Sequence, residues 1–306
     1  MSRAATRVMV FGAGGFLGSK VCELLERRGV DHRPLTRSTG DPKLRVDLAT
    51  DHHHALDTLI GRFEPNVVIN AAAATHGDAL TLAQGNVVAV EALLSSLRFN
   101  GSNARLVHIG SAAEYGGAPH GTSQGEQAEL RPGGAYGYTK LAGSELVLRA
   151  KRHGADAVVL RSFNISGPGS PASTLLGRVV RQLGTTDRLQ LGSLEAWRDY
   201  VDVRDVAAAV VAAATADAEL PPVLNVGSGK ASLARDVVHR LVELSGAGAE
   251  VVEGTAHAGH AGSPADSVPW QQADTALIAK HLGWAATIGL DQSLADTWAA
   301  RGIASQ

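Results

Sequence analysis

The stretch VMVFGAGGFLGSKVCELLERRG, residues 8–29, decides the fold class of this 306-residue chain. It opens with a short apolar run, continues through closely spaced glycines, and ends in a segment whose apolar side chains fall on one helical face, at positions 17, 21, 24 and 25. Gly29 then stops the helix. The stretch therefore predicts a strand, a glycine loop and a helix in direct succession.

Outward from this unit, the same alternation recurs along the chain. Short apolar runs at residues 67–69, 106–109 and 158–160 are separated by longer segments of helical period. Strands buried on both faces carry continuous apolar residues, as in a parallel sheet that helices cover on both sides. We therefore expect an α/β fold with a doubly wound parallel sheet.

Turn residues divide the second half of the chain. They cluster between residues 166 and 197 and again from residue 228 onward, whereas residues 200–227 are predicted to form a strand, a helix and a strand. This pattern predicts a smaller C-terminal lobe made of two separated pieces. The predicted boundaries are residues 1–165 plus 200–227 for the large domain, and residues 166–199 plus 228–306 for the lobe.

Composition narrows the classes of partner. Lysine and arginine number 28 and aspartate and glutamate 30, and no basic stripe interleaves with aromatic residues, so we expect no nucleic-acid partner. Residues 1–6 lack an apolar targeting core, and the apolar stretch 206–214 is too short to span a bilayer. Cys22 is the single cysteine, which excludes an internal disulfide. We expect a cytoplasmic protein with no membrane association.

No metal site is expected. Adjacent histidines, such as those at positions 52–54, do not share a face of a helix, and no cysteine or second histidine cluster has suitable spacing.

The glycine loop predicts an anion site. Gly12, Gly15 and Gly18 stand between the first strand and the first helix, where missing side chains let backbone N–H groups approach a dinucleotide pyrophosphate. Leu17 occupies the third glycine position of the G-x-G-x-x-G pattern, so the spacing is the alternative G-x-x-G-x-x-G. Taken alone, such a loop can also be an ordinary tight turn.

The region after the loop bears on the choice of cofactor. Sites that prefer NAD usually carry an acid about 20 residues on, for the ribose 2′-hydroxyl. Residues 32–38 here contain two arginines and no acid. A guanidinium can bind the 2′-phosphate of NADP, so we predict NADP (NADPH), with Arg37 and Ser38 on that phosphate. A solvated surface arginine is the alternative for Arg37.

A hydroxyl, a phenol and an ammonium form the candidate catalytic set. Tyr136 and Lys140 begin a helical segment and lie one turn apart on a common face. A nearby ammonium favours the phenolate, which brings the tyrosine closer to the pKa that acid–base chemistry needs. Ser111 follows a buried strand, at the edge where ligands bind in doubly wound folds.

These motifs together resemble the extended short-chain dehydrogenase/reductases, whose fold is a Rossmann-type sheet with a substrate-binding lobe. The resemblance rests on Gly12–Gly18, Asp47–Leu48, Asn70–Ala72, Ser111–Gly116, Tyr136–Lys140, Arg161–Gly169 and Arg198–Asp205, in the family's order. It implies that the large domain binds NADP and that the chain is a homodimer.

The resemblance also implies roles for individual residues. Tyr136 would be the acid/base, Lys140 would hold the nicotinamide ribose, and Ser111 would polarise the substrate oxygen. Asn86 would support them. The implied cofactor contacts are Gly12, Gly15, Phe16, Leu17, Gly18, Arg37, Ser38, Asp47, Leu48, Ala71, Ala72, Tyr136 and Lys140. The implied substrate contacts are Ser111, Ala112, Glu114, Asn164, Arg178 and Arg198. Two of these contacts have alternatives. Asp47 would instead form a turn, and Arg198 would instead pair with Asp199 or Asp202.

The absence of two acidic residues bears on which reaction the chain catalyses. The family's dehydratases carry acids where Ala112 and Ala113 stand, and residues 112–116 and 191–205 resemble guanosine-diphosphate 4-keto-6-deoxymannose reductases instead. The resemblance implies NADPH-dependent reduction of a nucleotide-linked 4-keto-6-deoxyhexose. A nucleotide-sugar 4-epimerase and a non-catalytic NADP(H)-sensing protein are the alternatives.

Overall fold

The chain forms a six-stranded parallel sheet, seen in a computed structural model that describes residues 6–38, 41, 43–50, 53–254 and 268–302. Its strands are β1 (Arg7–Phe11), β2 (Asp31–Leu35), β3 (Val67–Asn70), β4 (Arg105–Ser111), β5 (Ala157–Ser162) and β9 (Val223–Val226). Their order across the sheet is β2-β1-β3-β4-β5-β9. The predicted α/β class and parallel sheet are confirmed.

Helices cover both faces of this sheet. They are α1 (Phe16–Arg27), α2 (His53–Phe63), α3 (Ala79–Ala83), α4 (Ala89–Phe99), α5 (Gly134–Arg152), α7 (Val203–Thr215) and α9 (Ala276–Leu282), with a π-helical turn at Gln84–Val88. Alternate residues of β1 show why both faces need cover: Val8 and Val10 pack with α1 and α7, whereas Met9 and Phe11 pack with α2 and α4.

The second unit has its own small sheets and core. Its elements are β6 (Asn164–Ser166), α6 (Leu175–Leu183), β7 (Arg188–Leu191), β8 (Trp197–Asp202), β10 (Ala231–Leu233), α8 (Ala234–Ser245), β11 (Glu250–Glu253) and α10 (Leu290–Ala299). Strands pair in the orders β10-β8-β6 and β11-β7. Apolar residues of α6, β7, α8 and α10 form one buried cluster that is separate from the cores of the large sheet.

One segment departs from the predicted division. Residues 228–306 were expected to belong to the lobe, but α9 packs on α7 and β9 of the large sheet. Ile278 and Trp284 lie in the core of that sheet, with Val206 and Val210 of α7. The exact boundaries between the two units remain a prediction.

The helical run from Ala79 to Phe99 has the length and apolar composition that could cross a membrane. Half of its most apolar stretch is buried, and its inner face packs against α2 and α5. That arrangement is typical of a core helix.

Asp205 ties α9 and the turn after it to the large domain. Its buried carboxylate accepts hydrogen bonds from the backbone N–H and hydroxyl of Thr287 and from the N–H of Ile288, at 2.8–3.0 Å. The indole of Trp284 donates to the Asp205 carbonyl at 3.0 Å. Without the carboxylate, these three donors would lose their shared acceptor.

We predict that Asp205→Ala lowers the free energy of unfolding by about 2–4 kcal/mol, because three charge-assisted hydrogen bonds to a buried carboxylate are lost. Urea titration followed by circular dichroism measures the change. The control is Asp187→Ala, an exposed carboxylate that should change stability by less than about 0.5 kcal/mol. Equal losses in the two variants would contradict this interpretation.

Candidate functional site

The glycine loop is built to approach a ligand. Gly12 has a φ of +78°, and a Cβ there would lie 2.6 Å from the backbone nitrogen of Ala72. The loop closes through a hydrogen bond from the Gly15 N–H to the Gly12 carbonyl, at 2.9 Å. Helix α1 then starts with no side-chain cap and no acid in its first turn, so its backbone donors suit a pyrophosphate.

A second predicted cofactor segment meets the glycine loop at the same sheet edge. The Asn70 carboxamide oxygen accepts from the Ala72 N–H at 3.2 Å, and the Ala71 N–H donates to the Phe11 carbonyl at 3.0 Å. Since Gly12 also contacts Ala71 and Ala72, the ends of β1 and β3 form one continuous surface. Both loops lack bulky side chains here, which suits the close approach of a dinucleotide.

The other predicted cofactor residues lie in different surroundings. Arg37 and Ser38 are exposed just beyond β2, and no acid stands between residues 32 and 38. The side chains of Leu17 and Leu48 are buried in the two cores of the sheet, so only their backbones can face a ligand. Asp47 accepts from the Ala49 N–H at 3.0 Å, which is the turn contact given as the alternative.

The three catalytic candidates come together. Tyr136 and Lys140 lie on the first turns of α5, and the Lys140 ammonium donates to the carbonyl of Ile109 at 2.6 Å. Ser111 ends β4, two residues after Ile109, and lies close enough to Tyr136 for its hydroxyl to affect the tyrosine pKa. Helix α5 therefore places a phenol and an ammonium beside the hydroxyl at the end of β4.

The Ser111 hydroxyl is oriented by its own backbone. Its oxygen accepts from the Ala113 N–H at 3.2 Å, where a 3-10 turn of residues 112–114 begins. With a lone pair engaged, the hydroxyl proton is free to point elsewhere. Ser111 can therefore donate to a substrate oxygen.

Burial changes the acid–base character of the site in a way that the sequence analysis did not predict. Burial raises the pKa of Tyr136 above 10.0, helped by the negative charge of Glu114 and opposed by the Ser111 hydroxyl. Burial also lowers the pKa of Lys140 to about 8, against the opposing effect of Glu114. The expected lowering of the Tyr136 pKa by the lysine is not seen, because desolvation raises this pKa.

Two predicted substrate contacts are corrected by their burial. Ala112 packs in a buried cluster with Tyr115 and Phe163, and Glu114 is fully buried beneath the site. Neither side chain reaches a surface that a sugar could touch. The Ser-x-x-Glu spacing of Ser111 and Glu114 is that of a capping box, which is a signal in the sequence for this structural role.

Asn86 supports the site from the π-helical turn. Its carboxamide oxygen accepts from the Ala74 N–H at 3.0 Å. Its carboxamide nitrogen donates to the Ala74 carbonyl at 2.9 Å and to the Thr139 hydroxyl at 3.1 Å. It thereby joins the loop after β3 to the catalytic helix.

On β8, Arg198 is a cation without a carboxylate partner among the residues that the structure describes. Its guanidinium donates to the Trp197 carbonyl at 2.9 Å, and burial lowers its pKa. Asp199 instead accepts from Ser228, at 2.6–2.7 Å, and Asp202 pairs with Arg204 at 2.8 Å. The two carboxylates offered as alternative partners are therefore engaged elsewhere.

The other two substrate candidates are half-buried. The Asn164 carboxamide donates to the Asp199 carbonyl at 3.4 Å, and Arg178 lies on α6 of the lobe. Within the described part of the chain, no three His, Cys, Asp or Glu side chains are grouped to hold a metal ion. His52, the first of the adjacent histidines, lies outside the described residues.

Comparison with known proteins adds a family and several relatives. Residues 8–227 match the NAD dependent epimerase/dehydratase family. The chain is similar to dTDP-6-deoxy-L-talose 4-dehydrogenase (NAD(P)(+)) of Kitasatospora kifunensis, with 37% identity over 314 residues that cover 98% of this chain and 97% of that one.

Two solved structures share the fold over nearly the whole chain. MoeE5 in complex with UDP-glucuronic acid and NAD is 27% identical, with a TM-score of 0.85 and coverage of 97% of this chain and 99% of that one. RMD from Pseudomonas aeruginosa complexed with NADPH is 25% identical, with a TM-score of 0.81 and coverage of 97% and 98%. The predicted resemblance to nucleotide-sugar enzymes of the extended short-chain type is confirmed.

We predict that Gly12→Ala weakens binding of a nicotinamide dinucleotide by at least about tenfold, because the new methyl group would displace the Ala71–Ala72 loop. Cofactor fluorescence titration measures this. The matched control is Gly29→Ala, which has a similar φ of +64° but nothing within 4 Å of the added Cβ. Its backbone strain should cost stability and leave cofactor affinity unchanged; a comparable loss of affinity there would refute the steric explanation.

Proposed function

The chain belongs to the NAD dependent epimerase/dehydratase family, and from that premise we propose that it is an NADPH-dependent reductase of a nucleotide-linked 4-keto-6-deoxyhexose. The reaction would convert the C4 ketone into the 4-hydroxy sugar. The observation that carries the proposal is the meeting of Ser111, Tyr136 and Lys140 at the end of β4.

The relative from Kitasatospora kifunensis supports C4 as the reacting carbon and a 6-deoxyhexose as the sugar. Its name describes a 4-dehydrogenase of a 6-deoxyhexose linked to dTDP, and it matches nearly all of this chain. Oxidation at C4 and reduction at C4 are the same step in opposite directions. The likeness therefore favours chemistry at C4 of a 6-deoxy sugar, and a dTDP-linked substrate is the first to test.

Residues of the chain supply the proton that this step requires. A bound nicotinamide supplies the hydride. Tyr136 donates its proton to the developing alkoxide, and Ser111 donates a hydrogen bond to the same oxygen. The Lys140 ammonium, already fixed on the Ile109 carbonyl, would hold the nicotinamide ribose. Because the pKa of Tyr136 is raised, the phenol is protonated at neutral pH, which suits an acid in the reductive direction.

The substrate diphosphate is assigned to the lobe side of the site. Arg198 is half-buried and its charge is not neutralised by Asp199 or Asp202, so an incoming diphosphate would supply the missing anion. Asn164 and Arg178 are proposed as further contacts. This assignment makes residues 166–199 plus 228–306 the substrate-binding side, apart from α9.

We assign NADPH as the cofactor because Arg37 and Ser38 stand at the end of β2 with no acid beside them between residues 32 and 38. The named relatives are compatible with this choice, since one uses NAD(P)(+) and one is complexed with NADPH, although MoeE5 is complexed with NAD.

We further propose a cytoplasmic homodimer. Leu80, Val88 and Tyr138 are large apolar or aromatic side chains with exposed fractions of 66%, 49% and 61%. They lie on α3, the π-helical turn and α5, which pack against one another. A second subunit would cover them.

We predict that Tyr136→Phe lowers kcat for reduction of a dTDP-linked 4-keto-6-deoxyhexose by about 10²–10⁴-fold, since the general acid is lost. NADPH absorbance and chromatography of the sugar product measure the reaction. Tyr138→Phe, which alters an exposed tyrosine two residues away, should retain normal turnover.

Wild-type behaviour separates this proposal from its alternatives. Stoichiometric loss of NADPH indicates a reductase. Interconversion of sugars with no net loss of NADPH would indicate a 4-epimerase, and binding without turnover across dTDP, GDP and UDP sugars would indicate a sensor. Near-normal turnover in Tyr136→Phe would overturn the mechanism.

For the cofactor, we predict that Arg37→Ala weakens NADPH binding by about 10–100-fold and leaves NADH binding unchanged, because only NADPH carries the 2′-phosphate. Arg27→Ala, at the exposed end of α1, is the matched control. Tighter binding of NADH than NADPH by the wild-type protein would contradict the assignment.

A further inference from the structure

A buried carboxylate lies directly beneath the catalytic residues. Glu114 Oε1 accepts from the Ser111 N–H and from the Ser144 hydroxyl, both at 2.8 Å, and Oε2 accepts from Arg161 Nε at 2.7 Å. The side chain is 0% exposed. Glu114 therefore connects the end of β4, the catalytic helix α5 and the neighbouring strand β5.

Its partner Arg161 is buried as well. The guanidinium carbon lies 4.6 Å from the centre of the Tyr115 ring, and the Tyr115 hydroxyl donates to the Asn225 carboxamide oxygen at 2.7 Å. Arg161 is 2% exposed, so protein atoms enclose the pair on all sides. Buried ion pairs often contribute no net stability compared with apolar residues, which makes a role other than stability worth seeking.

The absence of a side chain at Gly110 leaves space for this pair. At Gly110, a Cβ would lie 2.8 Å from Glu114 Oε1 and 3.2 Å from Arg161 Cγ, so only glycine leaves room for the contact. Glu114 also completes a capping box, in which its carboxylate holds the Ser111 N–H while the Ser111 hydroxyl accepts from the Ala113 N–H. The position of Ser111 is thus fixed through both its backbone and its side chain.

The pair also sets the charge around Tyr136. The groups that act on this phenol are the Ser111 hydroxyl and the Glu114 carboxylate. The Lys140 ammonium is held on the Ile109 carbonyl, and Arg161 stands behind Glu114 on β5. His108 of β4, whose pKa burial holds well below 6.5, is neutral, and Tyr115, whose pKa burial raises to about 12, is protonated. Glu114 is the anion that opposes ionisation of Tyr136.

We propose that Glu114 and Arg161 are a positioning pair that fixes Ser111 as a hydrogen-bond donor at the end of β4 and holds a carboxylate charge beneath the catalytic residues. Neither residue touches the substrate. Glu114 acts through Ser111 and through its charge, and Arg161 partly neutralises that charge and holds the carboxylate in place. The link to reduction rests on the proposed function, whereas the effect on Tyr136 itself does not.

Removing Glu114 and removing Arg161 should shift the pKa of Tyr136 in opposite directions. In Glu114→Gln the anion is lost and Arg161 is left uncompensated, so ionisation of Tyr136 becomes easier. In Arg161→Gln the carboxylate keeps its charge and loses its neutralising partner, so ionisation becomes harder. Loosening of the structure alone would move both variants in the same direction.

The experiment is a rapid pH-jump titration of phenolate absorbance in the apo protein, with each variant compared with its Tyr136→Phe counterpart so that the difference reports Tyr136. We expect the midpoint to fall by about one pH unit in Glu114→Gln and to rise by about as much in Arg161→Gln. The double variant should return toward the wild-type value. If one single variant does not fold, the sign of the other together with the double variant still tests the proposal.

Ser144→Ala is the matched control, because it removes one hydrogen bond from Glu114 and leaves the charge. Its midpoint should stay at the wild-type value. Unchanged midpoints in both Glu114→Gln and Arg161→Gln, or shifts of the same sign, would show that the pair only supports the fold.

The kinetic readout ties the pair to catalysis. In the reductive direction, the alkaline pKa of kcat/KM that lies above that of Lys140 should move to lower pH in Glu114→Gln and to higher pH in Arg161→Gln, parallel to the titrations. Opposite shifts of the midpoint without any NADPH-consuming activity on the sugars tested would uphold the pair and reject the proposed reaction, so the two failures can be told apart.

Discussion

The site depends on how closely α5 is held against the end of β4. The Lys140 ammonium donates to the Ile109 carbonyl at 2.6 Å, and the Glu114 carboxylate bridges the Ser111 backbone and the Ser144 hydroxyl. These contacts are charge-assisted and lie in a dry interior, where a hydrogen bond is stronger and an unpaired charge is costly. Small displacements of the helix would therefore break several bonds at once, which keeps the phenol of Tyr136 beside Ser111.

Topology explains why these contacts occur at one edge. All six strands of the large sheet are parallel, so their carboxyl ends and the loops that follow them meet on the same side. Gly12 follows β1, Ala71 follows β3 and Ser111 ends β4, and β1, β3 and β4 are consecutive neighbours in the sheet. A ligand that lies across this edge meets the glycine loop and the catalytic hydroxyl together. The order of parallel strands thus brings residues from distant parts of the sequence to one edge of the sheet.

The sequence was a good guide where the signal is local. Continuous apolar runs predicted β3, β4 and β5, and the four-residue spacing of Tyr136 and Lys140 predicted their common face. Edge strand β2, DHRPL, could not be found as an apolar run, because Leu35 is its single buried residue. The partner of Glu114 is 47 residues away, and the raised pKa of Tyr136 comes from burial by several elements. Contacts of this kind follow from packing, which spacing along the chain does not encode.

Burial shifts the pKa values of Lys140 and Tyr136 in opposite directions, and this sets the protonation state of the site. Lys140 carries its proton below its pKa of about 8, and Tyr136 keeps its proton to above 10.0. At neutral pH the site therefore holds a protonated phenol beside an ammonium, which is the state that can give a proton away. A site working as a base from this state would first have to lose the phenolic proton, against burial and against the charge of Glu114. The same desolvation that makes the interior costly for charge thus keeps Tyr136 protonated at neutral pH.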